Sequence, residues 1–251
     1  ISLMLHFSPG ALKTGLDIRL YGLCRVHPFQ MSCGYWKNKF DLDLKHVKTF
    51  GNLLTFSISS MHFFEYKNKL KPEAGRILVS EPYLPDPNFE RTIILLCEHN
   101  AEGTIGFILN KPSSSKLGEL INELPHCENN VGIGGPVQQD TLHYIHRCGE
   151  VDGAVEIGNG IYWGGDFEDV IEKLNANKLE QSDIKFFLGY SGWSPGQLDD
   201  ELEQNSWIVN GRVTQDLIFD TEASEMWKKT LRQMGGRFSM YSNYPLDPTM
   251  N

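Results

Sequence analysis

Hydrophobic positions in this chain come in short blocks whose spacing switches between two and 3.6 residues, the periods of strand and helix. Residues 76–80 (RILVS) predict a strand, stopped by Glu81-Pro82. The next stretch, PYLPDPNFE, carries prolines at 82, 85 and 87 and predicts ordered turns. Residues 92–98 and 104–109 are apolar blocks joined by HNAEG, a hairpin in which Gly103 can take positive φ. Lys111-Pro112 stops the second block. After three serines, Leu117, Leu120, Ile121 and Leu124 recur at helical spacing until Pro125.

Residues 130–137 (NVGIGGPV) read as a glycine-rich turn leading into a strand at 141–147. Residues 155–157 and 161–163 flank Gly158-Asn159-Gly160, a second hairpin signal. Asp166 suits the cap of a helix whose apolar stripe is Phe167, Val170, Ile171 and Leu174, with Glu168 and Asp169 at its positive end. Residues 184–190 predict a strand. Ser194, Pro195 and Gln197 then match an N-cap, a first helical position and a capping box, with Leu198 and Leu202 on one face. Residues 206–209 predict another strand. A last helix spans about 223–234, with Met226, Trp227, Leu231 and Met234 inward and Gly235-Gly236 closing it.

Strands and helices are mixed and hairpins dominate. The expected fold class is α+β, a mixed, largely antiparallel sheet flanked by about four helices, and not a doubly wound nucleotide fold. No internal repeat is visible. Of the 251 residues, 40% are hydrophobic, enough for a real core, yet no apolar run approaches the roughly 18–20 residues that span a bilayer.

Charge divides the chain unevenly. Residues 1–60 hold seven Lys and Arg against three Asp, a balance of +4, and residues 61–251 hold 16 against 29, a balance of −13. A body at −13 repels phosphate backbones, which argues against direct nucleic-acid binding by residues 61–251. Little periodicity precedes residue 41, and composition changes at Met61. Residues 1–60 therefore read as an N-terminal extension of doubtful origin, with Met61 as the natural start, and 61–251 as a single domain. Five cysteines, an odd number without a C-x-x-C, do not read as a disulfide scaffold, and Cys97 reads as a small buried hydrophobe. A reducing, cytoplasmic setting follows.

From about residue 74 to 240 the chain resembles the YqgE/AlgH family of bacterial proteins. The segments that carry the resemblance are GRILVSEP, DPNFERTIILLCEHN, GTIGFILNKP, GIGGPVQQDTLHYIH, GIYWGGDFEDV, FFLGYSGWSPGQLDDELEQNSW and LIFDTEASEMWKKTLRQMG, in the family's order. The resemblance implies an α+β fold and a soluble bacterial protein. It implies no settled activity and no agreed catalytic residues. Members are often labelled transcriptional regulators, a label inherited from a link to alginate regulation in one member. The ending FSMYSNYPLDPTMN departs from the glycine-alanine ending of many members.

A search for chemistry yields no catalytic constellation. GYSGW spaces its glycines wrongly for a nucleophile elbow, so Ser191 reads as a turn serine. Cys97 and His99 could share a strand face, but nothing nearby lowers the thiol pKa. His143 and His146, three apart on a strand, face opposite ways, and the pair His126-Cys127 lacks a matching second pair; no metal or other cofactor is expected. GIGGPV lacks the Gly-Lys-Ser/Thr of a phosphate loop and reads as a turn where Gly135 avoids a Cβ clash. DDELE (199–203) reads as a solvated helix face.

Trp193 stands between Gly192 and Ser-Pro-Gly-Gln. Gly192 reads as the residue that lets the chain turn beside the indole, while Gly196 costs helix propensity unless a backbone or ligand comes close. Asn110, Gly134, Gly135, Pro136, Gly164, Gly165, Trp193, Gly196 and Gln197 are turn-tip residues that could converge on one recognition surface. The expectation is a cytoplasmic regulatory protein, acting by binding through a protein partner and not by direct DNA contact. The alternative is a small-ligand binder or enzyme using the glycine-turn surface.

Overall fold

The computed structural model describes the backbone of five strands between residues 2 and 57 and, without a break, residues 66–246. Contacts divide the chain into two compact units, Ile1–Phe63 and Phe64–Asn251. In the first, β1 (Ser2–His6), β2 (Asp17–Tyr21), β3 (Gln30–Ser32), β4 (Lys48–Phe50) and β5 (Leu53–Ser57) form an antiparallel sheet in the order β3-β2-β1-β5-β4. Three of these strands precede residue 41, where runs such as SLMLH and DIRLY are too short to register a period. Met61, Cys24, Cys33 and residues 247–251 lie outside the described residues.

The second unit carries a ten-stranded sheet. Its strands are β6 (Ile77–Ser80), β7 (Ile93–Asn100), β8 (Gly103–Ile108), β9 (Pro112–Lys116), β10 (Asn130–Ile133), β11 (Val137–His146), β12 (Val155–Gly158), β13 (Ile161–Trp163), β14 (Ile184–Trp193) and β15 (Trp207–Asn210). The main order is β12-β13-β11-β14-β8-β7-β6-β15, with β10 pairing β14 and β9. Neighbours are antiparallel except β10 and β14, which run parallel from Val131–Phe186 to Ile133–Leu188. Six helices accompany the sheet, where about four were expected: α1 (Leu117–Leu120), α2 (Phe167–Asn175), α3 (Gln197–Glu203), α4 (Gln215–Phe219), α5 (Ala223–Met234) and α6 (Gly236–Tyr241). The fold is α+β with a mixed, largely antiparallel sheet.

The central strands are buried on both faces, which is why they read as unbroken apolar runs. Along β6, Ile77 and Val79 face one core, and Leu78 faces the other. The first core is closed by α5, through Met226, Trp227 and Leu231; the second by α3, through Leu198 and the partly buried Leu202. A third core gathers Val131, Tyr144, Val170 and Phe186 beneath α2. Helix α2 begins as its sequence predicts, with the Asp166 side chain accepting the Glu168 amide at 2.9 Å.

Two stretches differ from expectation. The helix expected up to Pro125 stops at Leu120, because the chain folds back on it: the Leu117 amide donates to the Asn129 carbonyl and the Gly118 amide to that of Cys127. A Cβ on Gly118 would lie 2.9 Å from the Leu124 carbonyl oxygen. The turn expected over 130–137 is the strand β10 followed by three crossing residues, and the next strand starts at Val137, four residues early.

Candidate functional site

Trp193 ends β14 and is buried, 6% exposed. Its indole stacks with Phe89 at 6.4 Å and meets Trp207 edge to face at 6.0 Å. Both indoles donate to one carboxylate: Trp193 Nε1 lies 2.9 Å and Trp207 Nε1 2.7 Å from Glu201 Oε2. The other oxygen, Oε1, accepts from Gln197 Nε2 at 3.0 Å. Glu201 thus satisfies two buried N–H groups that would otherwise cost stability. The acidic run 199–203 is not uniformly a solvated face: one of its carboxylates, half-buried, turns inward to the two indoles. Glu201 sits three residues after Leu198, on the same helix side, and that spacing was the available signal.

The corner itself is built differently from the expectation. Gly192 lies within β14, not at a turn; a Cβ there would come 3.0 Å from Cε2 of Tyr190, so the glycine makes room for that ring. The turn falls at Ser194-Pro195-Gly196-Gln197, where the Gln197 amide donates to the Ser194 carbonyl at 3.0 Å. Gly196 sits at φ +78°, ψ −16°, the third position of a type II turn, and α3 starts at Gln197 with Gly196 as its cap, not Ser194. Only the outer half of the expected box forms, Gln197 Oε1 accepting from the Ser194 amide at 3.0 Å. Gly196 therefore meets a backbone demand.

Gly134-Gly135-Pro136 carries the chain from β10, on one side of β14, to β11 on its other side, crossing over β14 in backbone contact. A Cβ on Gly134 would lie 2.3 Å from the Gly189 oxygen, and one on Gly135 2.2 Å from the Tyr190 carbonyl carbon. Gly189, at φ +64°, would place a Cβ 2.6 Å from the Val137 oxygen. The Gly134 amide donates to Leu188, while its carbonyl accepts from the Ile108 amide and, at 3.0 Å, from the Ser191 hydroxyl. Ser191 is fully buried and pins the crossing.

The remaining residues of the expected surface lie apart. Asn110 ties down the start of β7, accepting from the Ile93 amide at 2.9 Å and donating to the Arg91 carbonyl at 2.8 Å. Gly164 and Gly165 follow β13, and their carbonyls accept from His146 Nε2 at 3.0 Å and from the Tyr144 hydroxyl at 2.7 Å. Burial, with smaller effects from Asp166 and Asp169, pushes Tyr144 up to about 12. His146 is buried, its ring stacked on Tyr162 at 5.7 Å, and burial pulls it below its ordinary range against the Gly164 and Cys148 backbone. His143 faces the other way, against Phe107 and Tyr190. Burial raises Cys97, which leaves it a protonated core residue. Among the described residues, no group of three or more His, Cys, Asp or Glu is placed to hold a metal ion.

The concave feature near the corner is a groove of about 380 Å³ between the tip of the β7–β8 hairpin and the end of β14. From β7 and the turn come Glu98, Asn100 and Glu102; from β8, Gly103, Thr104 and Ile105; from β11 and β14, Val137, Tyr190, Gly192 and Trp193; and from the turn that follows, Ser194 and Pro195. Of the nine expected surface residues only Trp193 lines it. The groove has two carboxylates and no Lys, Arg or His among its lining residues. The β7 bulge at Cys97 sets its shape: pairing shifts between Leu96–Gly106 and Glu98–Ile105. No sequence period announces that shift, so Glu98, Asn100 and Glu102 read only as a polar hairpin tip.

Comparison with known proteins agrees with this architecture. A UPF0301 protein of Chlorobaculum tepidum is 44% identical over 183 residues, covering 72% of this chain and 96% of the relative. One from Cytophaga hutchinsonii is 44% identical over 179 residues, covering 70% and 98%. The solution structure of the AlgH protein from Pseudomonas aeruginosa superposes with a TM-score of 0.56 at 26% identity, over 71% of this chain and 98% of that one. A crystal structure of a Corynebacterium diphtheriae protein shares the fold, with a TM-score of 0.61 at 24% identity over 71% and 95%. The AlgH-like family model matches residues 77–239, and the chain belongs to that family, the YqgE/AlgH family.

Proposed function

We propose that this chain is a cytoplasmic binding protein that acts in regulation through a protein partner, and that the groove between the β7–β8 tip and the end of β14 holds that partner. The observation that carries the reading is the groove itself, an open concavity beside an otherwise filled corner, with an exposed glycine for a floor and carboxylates on its rim. Its charge sign, and the −13 balance of residues 61–251, favour a protein surface over a phosphate backbone. No helix among the described residues is long and apolar enough to cross a membrane.

The test uses the full chain and an Ile105→Trp variant, which fills the groove from β8, with folding checked by circular dichroism. Native lysate proteins retained by the first and lost by the second are expected, together with no DNA mobility shift. A tight, salt-sensitive DNA complex, or identical capture by both baits, overturns the reading.

A further inference from the structure

We propose that the groove takes the cationic side chain, an arginine or lysine, of an extended protein segment, seated between Glu98 and Glu102 with its stem against Tyr190. This rests on the groove being the recognition site and names the chemistry it selects.

Charge is the first argument. Among the described residues five other carboxylates meet a cation: Asp183 and Asp220 meet Arg147, Asp169 meets Lys173, Glu128 meets Lys116 and Glu73 meets Arg76. Glu98 accepts only the Asn100 amide, at 2.6 Å, and neither Glu98 nor Glu102 has an ion-pair partner among the described residues. Two carboxylates on one concavity repel each other, and a cation placed between them relieves that repulsion while meeting no competing positive group.

The wall supplies the second argument. Tyr190 is positioned edge to face by His143 at 5.8 Å, and Gly192 leaves its ring unobstructed on the groove side. An aromatic face beside carboxylates suits a guanidinium or the methylenes below an ammonium. A neutral or acidic side chain gains from neither feature.

The backbone supplies the third, and it selects an extended occupant. Residues 191–193 of β14 pair along one edge with β8, from Ser191–Gly106 to Trp193–Thr104. The other edge is covered by β11 only as far as Tyr190–Val137, and no described strand continues that pairing. A segment laid there prolongs the sheet by main-chain hydrogen bonds and points every second side chain toward the rim.

Fluorescence anisotropy with the full chain tests this. The probe is an end-blocked, fluorescein-labelled heptapeptide of alternating valine and threonine with a central arginine; its control carries citrulline there, the same shape without charge. Saturable sub-millimolar binding of the arginine peptide is expected, about fivefold tighter than the citrulline peptide at low salt. The Glu98→Gln/Glu102→Gln double variant should bind both alike, and Ile105→Trp neither. Equal binding of the two peptides by the unaltered chain, both lost in Ile105→Trp, overturns cation selection and leaves the groove as a binding site. An arginine preference that survives Ile105→Trp, or no saturable binding at millimolar protein, overturns the inference outright; lysate capture then judges the groove separately.

Discussion

Over residues 184–188, β14 is paired with β11 on one side and, from Phe186 to Leu188, with β10 on the other, and places Phe186 and Phe187 in two different cores. Over residues 189–193 the same strand has glycine at 189 and 192, passes beneath the Gly134–Pro136 crossing, keeps β8 on one edge, and borders the groove. In the first half, side chains do the work and substitutions cost packing. In the second, backbone lies against backbone, and what matters is the absence of a side chain. Conserving volume is the rule on one half, and conserving emptiness on the other.

The sharpest way to break that contrast is Gly135→Ala. The added methyl falls 2.2 Å from Tyr190 backbone atoms on a crossing held by Ile108, Leu188 and Ser191. A loss of about 4 kcal/mol or more, or failure to fold, is expected in urea unfolding. Phe186→Leu, a larger chemical change in the first half, should cost only about 1–2 kcal/mol, because cores absorb apolar swaps. A tolerated Gly135→Ala would show that the crossing has room and that the two halves do not differ as described.

Next in size is the carboxylate that fixes the corner. Glu201→Ala leaves two buried indole N–H groups without a partner and should cost about 2–3 kcal/mol. Asp199→Ala and Asp200→Ala, on the exposed face of the same helix, should stay within about 0.5 kcal/mol. Equal effects at all three positions would return 199–203 to a plain solvated face.

These positions mark what could be read in advance. Strands β6, β7, β8, β13 and β15, the cap at Asp166 and helix α5 were legible because period and capping are local. The β10 strand was not: NVGIGGPV looks like a turn, and only pairing with β14 on one edge and β9 on the other makes four of its residues a strand. Gly192 reads as a turn-maker and Gly196 as a helix cost that a close backbone or ligand would explain, yet the first makes room for a ring and the second completes a type II turn; a glycine announces permission, not its use. The groove was hidden for the same reason, since its lining comes from four strands, and a bulge in one of them shifts the register. Glu201 was missed because a carboxylate in an acidic run reads as solvated until its two indoles are known.

Protonation separates the halves in another way. His146 pairs with Ile184 in register and is buried, its pKa held down by desolvation although the Gly164 and Cys148 backbone favours the charged form. A depressed folded value means that the unfolded chain protonates first as pH falls. The stability is therefore whole above the unfolded pKa of about 6.5 and is lost below it, at up to about 1.4 kcal/mol per pH unit until the folded pKa is reached. His143 is depressed in the same direction. Urea unfolding between pH 7.5 and 5.5 should show this slope, and His146→Phe should flatten most of it, with about 1–2 kcal/mol lost at pH 7.5 for the orphaned Gly164 carbonyl. A slope unchanged in His146→Phe would place the titration elsewhere.

Smallest of all should be the effect at the groove rim. Among the described residues Glu98 and Glu102 face no cation, so Glu98→Gln/Glu102→Gln removes a repulsion and breaks none of the ion pairs formed there. Unfolding at low salt should be unchanged within about 0.5 kcal/mol or slightly favour the variant, and added salt should erase the gain by screening the parent's rim. Asp183→Asn gives the contrast: it neutralises the carboxylate that accepts from Arg147 Nε at 2.6 Å and leaves Asp220 as that guanidinium's remaining carboxylate, so it should destabilise, by about 1 kcal/mol. If the rim variant instead loses as much as Asp183→Asn, the carboxylates serve the fold and the groove's charge needs no partner to explain it. If it loses nothing, the fold has no use for them, and their presence on an open concavity points outward, to whatever the groove binds.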